Sequence, residues 1–212
     1  MDQRQAVVDG YKQLISSGLG TGSSGNLSVR SDDGMLITPT GVLAEDLTAS
    51  QLVQLSLEGE AVIGQLLPSS EWHMHAAVYR DRPEIQAVVH CHSRYATILA
   101  CDHRPIPAVH YMIAVTESDE IPVAPYATFG TVALAESIIG GLRGRLASLL
   151  ANHGQIAIGR DLPQAMRVAS EVEELAAIYW GSLAIGGGKT LSAQSMNEVR
   201  TAFVTYGQQR ED

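Results

Sequence analysis

Apolar residues recur with a helical period near the start of the chain, at Val7, Val8, Tyr11, Leu14 and Ile15, and the run stops at Gly18. That spacing predicts an amphipathic helix over 6–17, closed by a glycine. The pattern then changes. Residues 26–30 and 35–38 read as short strands around Asp32-Asp33-Gly34, a hairpin signal. Pro68-Ser69-Ser70-Glu71 reads as a loop entering a helix that runs to about Arg80, with Ser69 or Ser70 as the expected N-cap. Residues 86–92 are rich in β-formers, Ser93 is placed to cap a helix through Ala100, and 121–124 is a further strand. A helix over 131–142 ends in glycines, and strands at 149–151 and 155–158 flank Asn152-His153-Gly154. A proline-opened helix over 163–185 and a last one over 192–206 complete the series. Strands mixed with helices and an early hairpin predict an α/β sandwich, read as one domain over 1–212. A doubly wound nucleotide-binding fold is disfavoured, because no Gly-rich fingerprint follows a strand.

Composition narrows the class. Of 212 residues, 45% are apolar and 17% charged, which argues against a disordered tail or a coiled coil. Fourteen Lys and Arg against 23 Asp and Glu leave a net charge of −9, unfavourable for nucleic acid or an anionic membrane as the main partner. A small anionic substrate in a local pocket remains compatible with that charge. Two cysteines, Cys91 and Cys101, are too few for a disulfide scaffold and point to a reducing compartment. No apolar run follows Met-Asp-Gln-Arg-Gln, so no secretory signal is expected, and the apolar stretch 175–185 is too short to span a bilayer. A soluble cytoplasmic protein is the expectation.

The histidines are the first candidate chemistry. His90 and His92 stand two apart in a β-rich segment, so on a strand both rings leave the same face and can share a cation, while Cys91 turns into packing. His73 and His75 have the same spacing on a predicted helix, where residues two apart do not face each other, and are rejected as a metal pair. Alone, His90 and His92 read slightly better as two polar residues at a strand end than as a metal pair. His153 shifts that balance, because it sits in a tight turn directly after an apolar strand. Three histidines and one carboxylate, for which Glu71 is nominated, would make a zinc site of catalytic type. The plainer reading of Glu71 is a residue stabilising a helix N-terminus.

Three short segments share small hydroxyl residues and glycines: Thr21-Gly22-Ser23-Ser24-Gly25-Asn26, Thr38-Pro39-Thr40-Gly41 and Ser69-Ser70. Each alone is an ordinary turn. Together their backbone N–H groups make an anion nest that needs no lysine, which suggests a small phosphorylated substrate whose other end meets the metal.

Five motifs in order, Gly25-Asn26-Leu27-Ser28, Thr38-Pro39-Thr40-Gly41, Pro68-Ser69-Ser70-Glu71, His90-Cys91-His92 and Asn152-His153-Gly154, resemble the zinc-dependent class II aldolase/adducin family over nearly the whole chain. The likeness is densest over 34–41, 106–114 and 124–131. It implies an α/β fold, a class II aldolase-like three-layer sandwich with a central, mostly antiparallel sheet covered by helices. It implies that His90, His92 and His153 bind one Zn²⁺ per subunit, with Glu71 as the fourth ligand at rest. Asn26, Thr40, Gly41, Ser69 and Ser70, helped by the backbone at Gly25, would hold the phosphate. Glu71 and Tyr111 would be catalytic. Tyr111, with Phe129 and Tyr206, would reach from one subunit into its neighbour's site, in a ring-shaped homotetramer.

The implied reaction is reversible cleavage of a ketose 1-phosphate to dihydroxyacetone phosphate and a small aldehyde such as L-lactaldehyde. Zinc would offer the electrophile that an enediolate needs, and Glu71 would move the proton at the hydroxymethyl carbon. Rival readings on the same scaffold are a sugar-phosphate 4-epimerase, dehydratase or decarboxylase. By resemblance the epimerase carries aspartate where Glu71 stands, and the decarboxylase a lysine near Ser69-Ser70. A non-catalytic adducin-like scaffold would lack the histidines, and a zinc hydrolase leaves the hydroxyl loops and Tyr111 without a purpose.

Overall fold

The computed structural model describes residues 2–61 and 65–203. The first helix, α1 (Gln3–Ser16), is capped by Asp2, whose carboxylate accepts from the Arg4 amide, and it buries the Val7, Val8, Tyr11 and Leu14 stripe. The hairpin follows as β1 (Asn26–Ser31) and β2 (Gly34–Ile37), paired antiparallel from Ser28↔Ile37 to Ser31↔Gly34. After β3 (Val53–Leu55) come α2 (Trp72–Asp81), β4 (Ala87–Cys91), α3 (Arg94–Cys101), β5 (Ile106–Pro107), β6 (Glu120–Ile121), β7 (Val123–Ala124), α4 (Val132–Gly141), β8 (Ala147–Leu150), β9 (Gly154–Gly159), α5 (Leu162–Ala184) and α6 (Ala193–Phe203).

Seven strands form one sheet in the order β3-β2-β1-β4-β9-β8-β7. Every pairing is antiparallel except β7 with β8 at one edge. Strand alternation sorts the side chains between two helical layers. Leu27 lies beside Gly10 of α1, and the Gln155 amide reaches the Ala169 carbonyl of α5, so α1, α3 and α5 cover one face. Ser28 meets His75 and Tyr79 of α2, which packs with α4 over the other. The result is the three-layer sandwich with a mostly antiparallel sheet. Its core is aliphatic, with Leu27, Val88, Val89, Ile156, Ile158, Val168 and Val172 fully buried.

Two boundaries moved for identifiable reasons. The strand expected over 121–124 divides at Pro122, which has no N–H to continue a ladder. Its halves join different sheets, β6 pairing with β5 and β7 with β8. The N-cap of α2 is Glu71, not Ser69 or Ser70. Ser69 acts two residues earlier, its hydroxyl accepting from the Glu71 amide (3.3 Å) and its carbonyl from Trp72 (3.1 Å).

The start of α3 is held from a distance. Ser93 occupies the N-cap position, but its hydroxyl accepts from Gln155 Nε2 (2.7 Å). The open amides of Tyr95 and Ala96 donate instead to the Glu173 carboxylate of α5, at 2.9 and 3.0 Å. A carboxylate there meets both the free N–H groups and the positive end of the helix dipole. Glu173→Ala is therefore expected to cost about 1–2 kcal/mol. The readout is a lower urea midpoint at unchanged slope; an unmoved midpoint would show that the contact contributes nothing net.

Candidate metal centre and its cavity

The fold brings Glu71, His90, His92 and His153 together, with one ligand atom of each lying within 4.8 Å of the others. Each arrives by a different local device. His90 lies on β4 directly across from Asn26 of β1 and Ile156 of β9. His92 follows two residues later on the same face, just past the strand end. The register Cys91↔Gln155 sets residue 92 beside Gly154, and so beside His153. The turn that carries His153 is closed by its own amide donating to Leu150 (3.0 Å) and by Asn152 in the left-handed region (φ 55°). Asn152 is steadied by His103 Nε2 at 2.6 Å from its Oδ1. Glu71 projects over these strand ends from the turn opening α2.

Two glycines make this closeness possible. At Gly154 a β-carbon would stand 2.5 Å from the Cys91 carbonyl oxygen and 2.9 Å from the His92 ring. At Gly25, with φ of 84°, it would stand 2.7 Å from the His90 carbonyl oxygen. Both loops press on the end of β4 where any side chain would force them apart.

The electrostatics of the cluster call for a cation. His90 Nδ1 is 2.8 Å from the Gln155 carbonyl and donates to it, which turns Nε2 into the cluster as the nitrogen available to a metal. That Nε2 faces His92 Nε2 at 3.0 Å and Glu71 Oε2 at 3.2 Å. His153 Nε2 lies 3.3 Å from Glu71 Oε1, a buried oxygen with no hydrogen-bond partner. Burial, with repulsion from His90 and against the pull of Glu71, pushes His92 and His153 down to about 4, so both rings are neutral at pH 7. For Glu71, burial alone would raise the pKa, but His90, His153 and the Asn26 amide outweigh it and hold the carboxyl well below the usual range. Three imidazole lone pairs and a carboxylate converging on one point are stable only around positive charge. The nitrogen and oxygen donors fit a divalent transition ion held by neutral histidines.

A cavity of about 350 Å³ opens onto this cluster, lined by Ser70, Glu71, His92, Tyr126, Ala127, Phe129, Asn152 and His153. Two of the hydroxyl loops run alongside one another, with Thr40 donating its amide to Leu67 (3.1 Å) and Ser69 to Thr38 (3.0 Å). These two backbone N–H groups are thus spent inside the protein, and an anion would meet hydroxyls there instead. Asn26, read in the sequence as a phosphate residue, donates from Nδ2 to Glu71 Oε2 (2.9 Å). Tyr111 does not line the cavity. It sits in a short 3₁₀ segment over 111–116, with its ring against His110 and Phe203. Tyr206 lies outside the described residues. Cys91 is buried and its thiol is pushed up to about 12 by that burial, as suits packing.

His75 had no role in the sequence reading beyond rejection as a ligand. It is fully buried, its Nδ1 2.7 Å from Ser28 Oγ and its Nε2 2.5 Å from Asn26 Oδ1. The missed signal was the helical spacing of Glu71, His75 and Tyr79, four apart, facing Asn26 and Ser28, two apart on a strand. Burial, with repulsion from His90 and against attraction from Glu71, pushes His75 down to about 3. The unfolded chain therefore takes up a proton below about pH 6.5 that the folded chain refuses. Stability should fall with pH between about 6.5 and 3, by about 1.4 kcal/mol per pH unit from this residue. Denaturant titrations of the metal-free protein check this: His75→Gln should flatten the slope by about one proton, and an unchanged slope would refute it.

A cluster of three histidines and one carboxylate at the mouth of a cavity, on an α/β sandwich, defines a metalloenzyme-type centre. Sequence and structure comparisons agree on which. Residues 5–180 match the family described as Class II Aldolase and Adducin N-terminal domain. The chain is 46% identical over 204 residues to a 5-methylthioribulose-1-phosphate/5-deoxyribulose-1-phosphate aldolase of Rhodospirillum rubrum, covering 96% of this chain and 92% of that one. It is 45% identical over 202 residues to an L-fuculose phosphate aldolase of Escherichia coli K12, covering 95% and 94%. A solved L-fuculose 1-phosphate aldolase superposes with a TM-score of 0.92 at 40% identity over 96% of both chains. The chain belongs to the class II aldolase/adducin family and is an aldolase of that class.

Proposed function

We propose that this enzyme is a zinc-dependent lyase that reversibly cleaves L-fuculose 1-phosphate, or a close ketose 1-phosphate, to dihydroxyacetone phosphate and L-lactaldehyde or a related small aldehyde. The observation that carries the reading is the convergence of Glu71 with three imidazole lone pairs beside a cavity whose far wall is aromatic. Glu71, His90, His92 and His153 hold one Zn²⁺ per subunit. When bound, the ion supplies an electrophile for the charge left on the ketose oxygens as the C3–C4 bond breaks.

The protein's own groups do the rest. Glu71 is held as a carboxylate and is free at Oε1, so it can take a proton from the hydroxymethyl carbon of dihydroxyacetone phosphate and return it. The phosphate is held by the hydroxyls of Thr40, Ser69 and Ser70, the backbone at Gly25 and Gly41, and the second N–H of the Asn26 amide. Tyr126, Ala127 and Phe129 exclude water from the aldehyde side. Tyr111 and Tyr206 complete a neighbour's site in a homotetramer, whereas Phe129, expected to do the same, lines the cavity of its own chain. Support for that assembly comes from the exposure of Tyr126, Phe129 and Val132 in the single chain, at 61%, 64% and 60%. Patches of this kind mark interaction surfaces. A cytoplasmic setting is in keeping with Cys91 and Cys101 being unpaired and with the lack, among the described residues, of a helix long and apolar enough to cross a membrane.

The test is hydrogen exchange at the hydroxymethyl carbon of dihydroxyacetone phosphate in D₂O, followed by an aldehyde screen. Exchange with the zinc-loaded protein that stops on chelation supports the reading. No exchange from a folded, zinc-bound protein turns it toward an epimerase, dehydratase or decarboxylase. The relative from Rhodospirillum rubrum favours a second substrate class, the 5-deoxy and 5-methylthio pentulose phosphates. Cleavage of those would yield acetaldehyde or methylthioacetaldehyde, so faster condensation with them than with L-lactaldehyde would select that class.

A further inference from the structure

Behind Glu71 runs a buried chain of four hydrogen bonds that the proposed chemistry does not use. Tyr79 OH lies 2.7 Å from Ser28 Oγ, which lies 2.7 Å from His75 Nδ1. His75 Nε2 lies 2.5 Å from Asn26 Oδ1, and Asn26 Nδ2 lies 2.9 Å from Glu71 Oε2. All five side chains are buried, from Ser28 and His75 at 0% exposure to Glu71 at 7%. The direction of every bond in the chain is forced. An ionised carboxylate only accepts, so Asn26 must offer it N–H and turn its carbonyl to His75. His75 must then carry its proton on Nε2, which leaves Nδ1 as an acceptor for the Ser28 hydroxyl. Ser28 has spent its one proton and must accept from Tyr79. Every donor therefore points toward Glu71, and each bond polarises the next. Because one link is an amide, the chain transmits orientation and polarisation but no proton.

We propose that His75 is a positioning residue for the reaction: by fixing the Asn26 amide in one orientation it ties down Oε2 of Glu71 and leaves Oε1 as the oxygen that moves the substrate proton. The asymmetry is visible in the cluster itself. Oε2 accepts from Asn26 and approaches His90, whereas Oε1 is buried without a hydrogen bond. If His75 could not donate, the amide could turn, present its oxygen to the carboxylate and push Glu71 away from the metal centre. The low protonation tendency of buried His75 supports a single neutral tautomer across the working pH range.

The inference rests on the aldolase reading for its kinetic consequence but not for its geometry, so two measurements separate them. In the metal-free protein, ¹H–¹⁵N correlation spectra of the His75 ring should show the neutral Nε2–H tautomer from pH 8 to pH 5. A ring protonated on Nδ1, or an imidazolium in that range, would overturn the proposal. For the zinc-loaded protein, His75→Phe should lower kcat and the exchange rate at the hydroxymethyl carbon about 10- to 100-fold, at unchanged metal content and a KM within about twofold. His75→Gln, whose amide N–H can replace Nε2–H, should recover most of the loss. Wild-type kcat in His75→Phe at full metal content would refute the role, as would a loss that His75→Gln does not repair. Should His75→Phe not fold, Ser28→Ala serves, since the Asn26 carbonyl alone then holds the proton on Nε2. Its ring spectrum should remain Nε2–H, and a shift to Nδ1–H would refute the chain. A wild-type protein that binds zinc and exchanges nothing defeats the aldolase reading alone; the ring spectrum still decides the geometry.

Discussion

His92→Ala is expected to lose both bound zinc and turnover, with kcat/KM down on the order of 10³ or more, because one of four convergent donors is gone. His92 is the ligand nearest the rim, past the end of β4, so its removal leaves the strand pairing of Asn26, His90 and Ile156 in place. The loss should therefore appear with near-native circular dichroism and an intact thermal transition. Metal content after dialysis, measured beside cleavage of the ketose phosphate, checks the expectation. Full activity in metal-stripped buffer would remove the cluster from the mechanism altogether. Partial restoration by millimolar zinc would match a weakened site rather than a destroyed one, since the remaining donors still converge.

Glu71→Gln separates holding the metal from moving the proton. Glutamine has nearly the same shape and can still meet Asn26 through its amide oxygen, but it cannot take a proton at neutral pH. The variant should fold, keep some zinc and lose exchange at the hydroxymethyl carbon by about 10²- to 10⁴-fold. It also removes the negative charge that sits among three imidazoles, so zinc affinity should fall as well; rates must be compared per bound zinc. Exchange at the wild-type rate in Glu71→Gln would place the base elsewhere, and Tyr111 from a neighbouring subunit would be the next residue to replace.

Periodicity and spacing carried a large part of this molecule. The His90/His92 pair could be placed on one face because a strand has a period of two, and the His73/His75 pair dismissed because a helix does not. The early hairpin and the long α5 were equally legible from turn residues and an apolar stripe. What escaped was set by contacts distant in sequence. The caps of α2 and α3 follow from tertiary demands, since Ser93 is taken by Gln155 and the free amides by Glu173. The split at Pro122 was readable from its missing donor, yet the assignment of its halves to two sheets depends on β5 and β8. Short segments such as β3 and β5 carry too few residues for any period to show. Asn26 was picked out as a ligand-facing residue by its company in a Gly-rich loop, but its actual partners, Glu71 and His75, come from a helix about 45 residues away.

The cavity has two walls of unlike construction. One is the metal-type cluster, locked by strand register and by Gly25 and Gly154 where even a methyl group cannot be added. The other is Tyr126, Ala127 and Phe129, in the loop between β7 and α4, where Tyr126 and Phe129 project outward. On the proposed function, changes in the first wall would fall on the chemistry itself, and changes in the second on which aldehyde fits. Such a division would let a lineage exchange one aldehyde for another without re-inventing the bond cleavage; relatives of nearly equal identity carry names for different sugar phosphates. It also tells an engineer where to randomise: three neighbouring positions, none of them a metal donor, are the place to look for new carbon–carbon bond-forming partners.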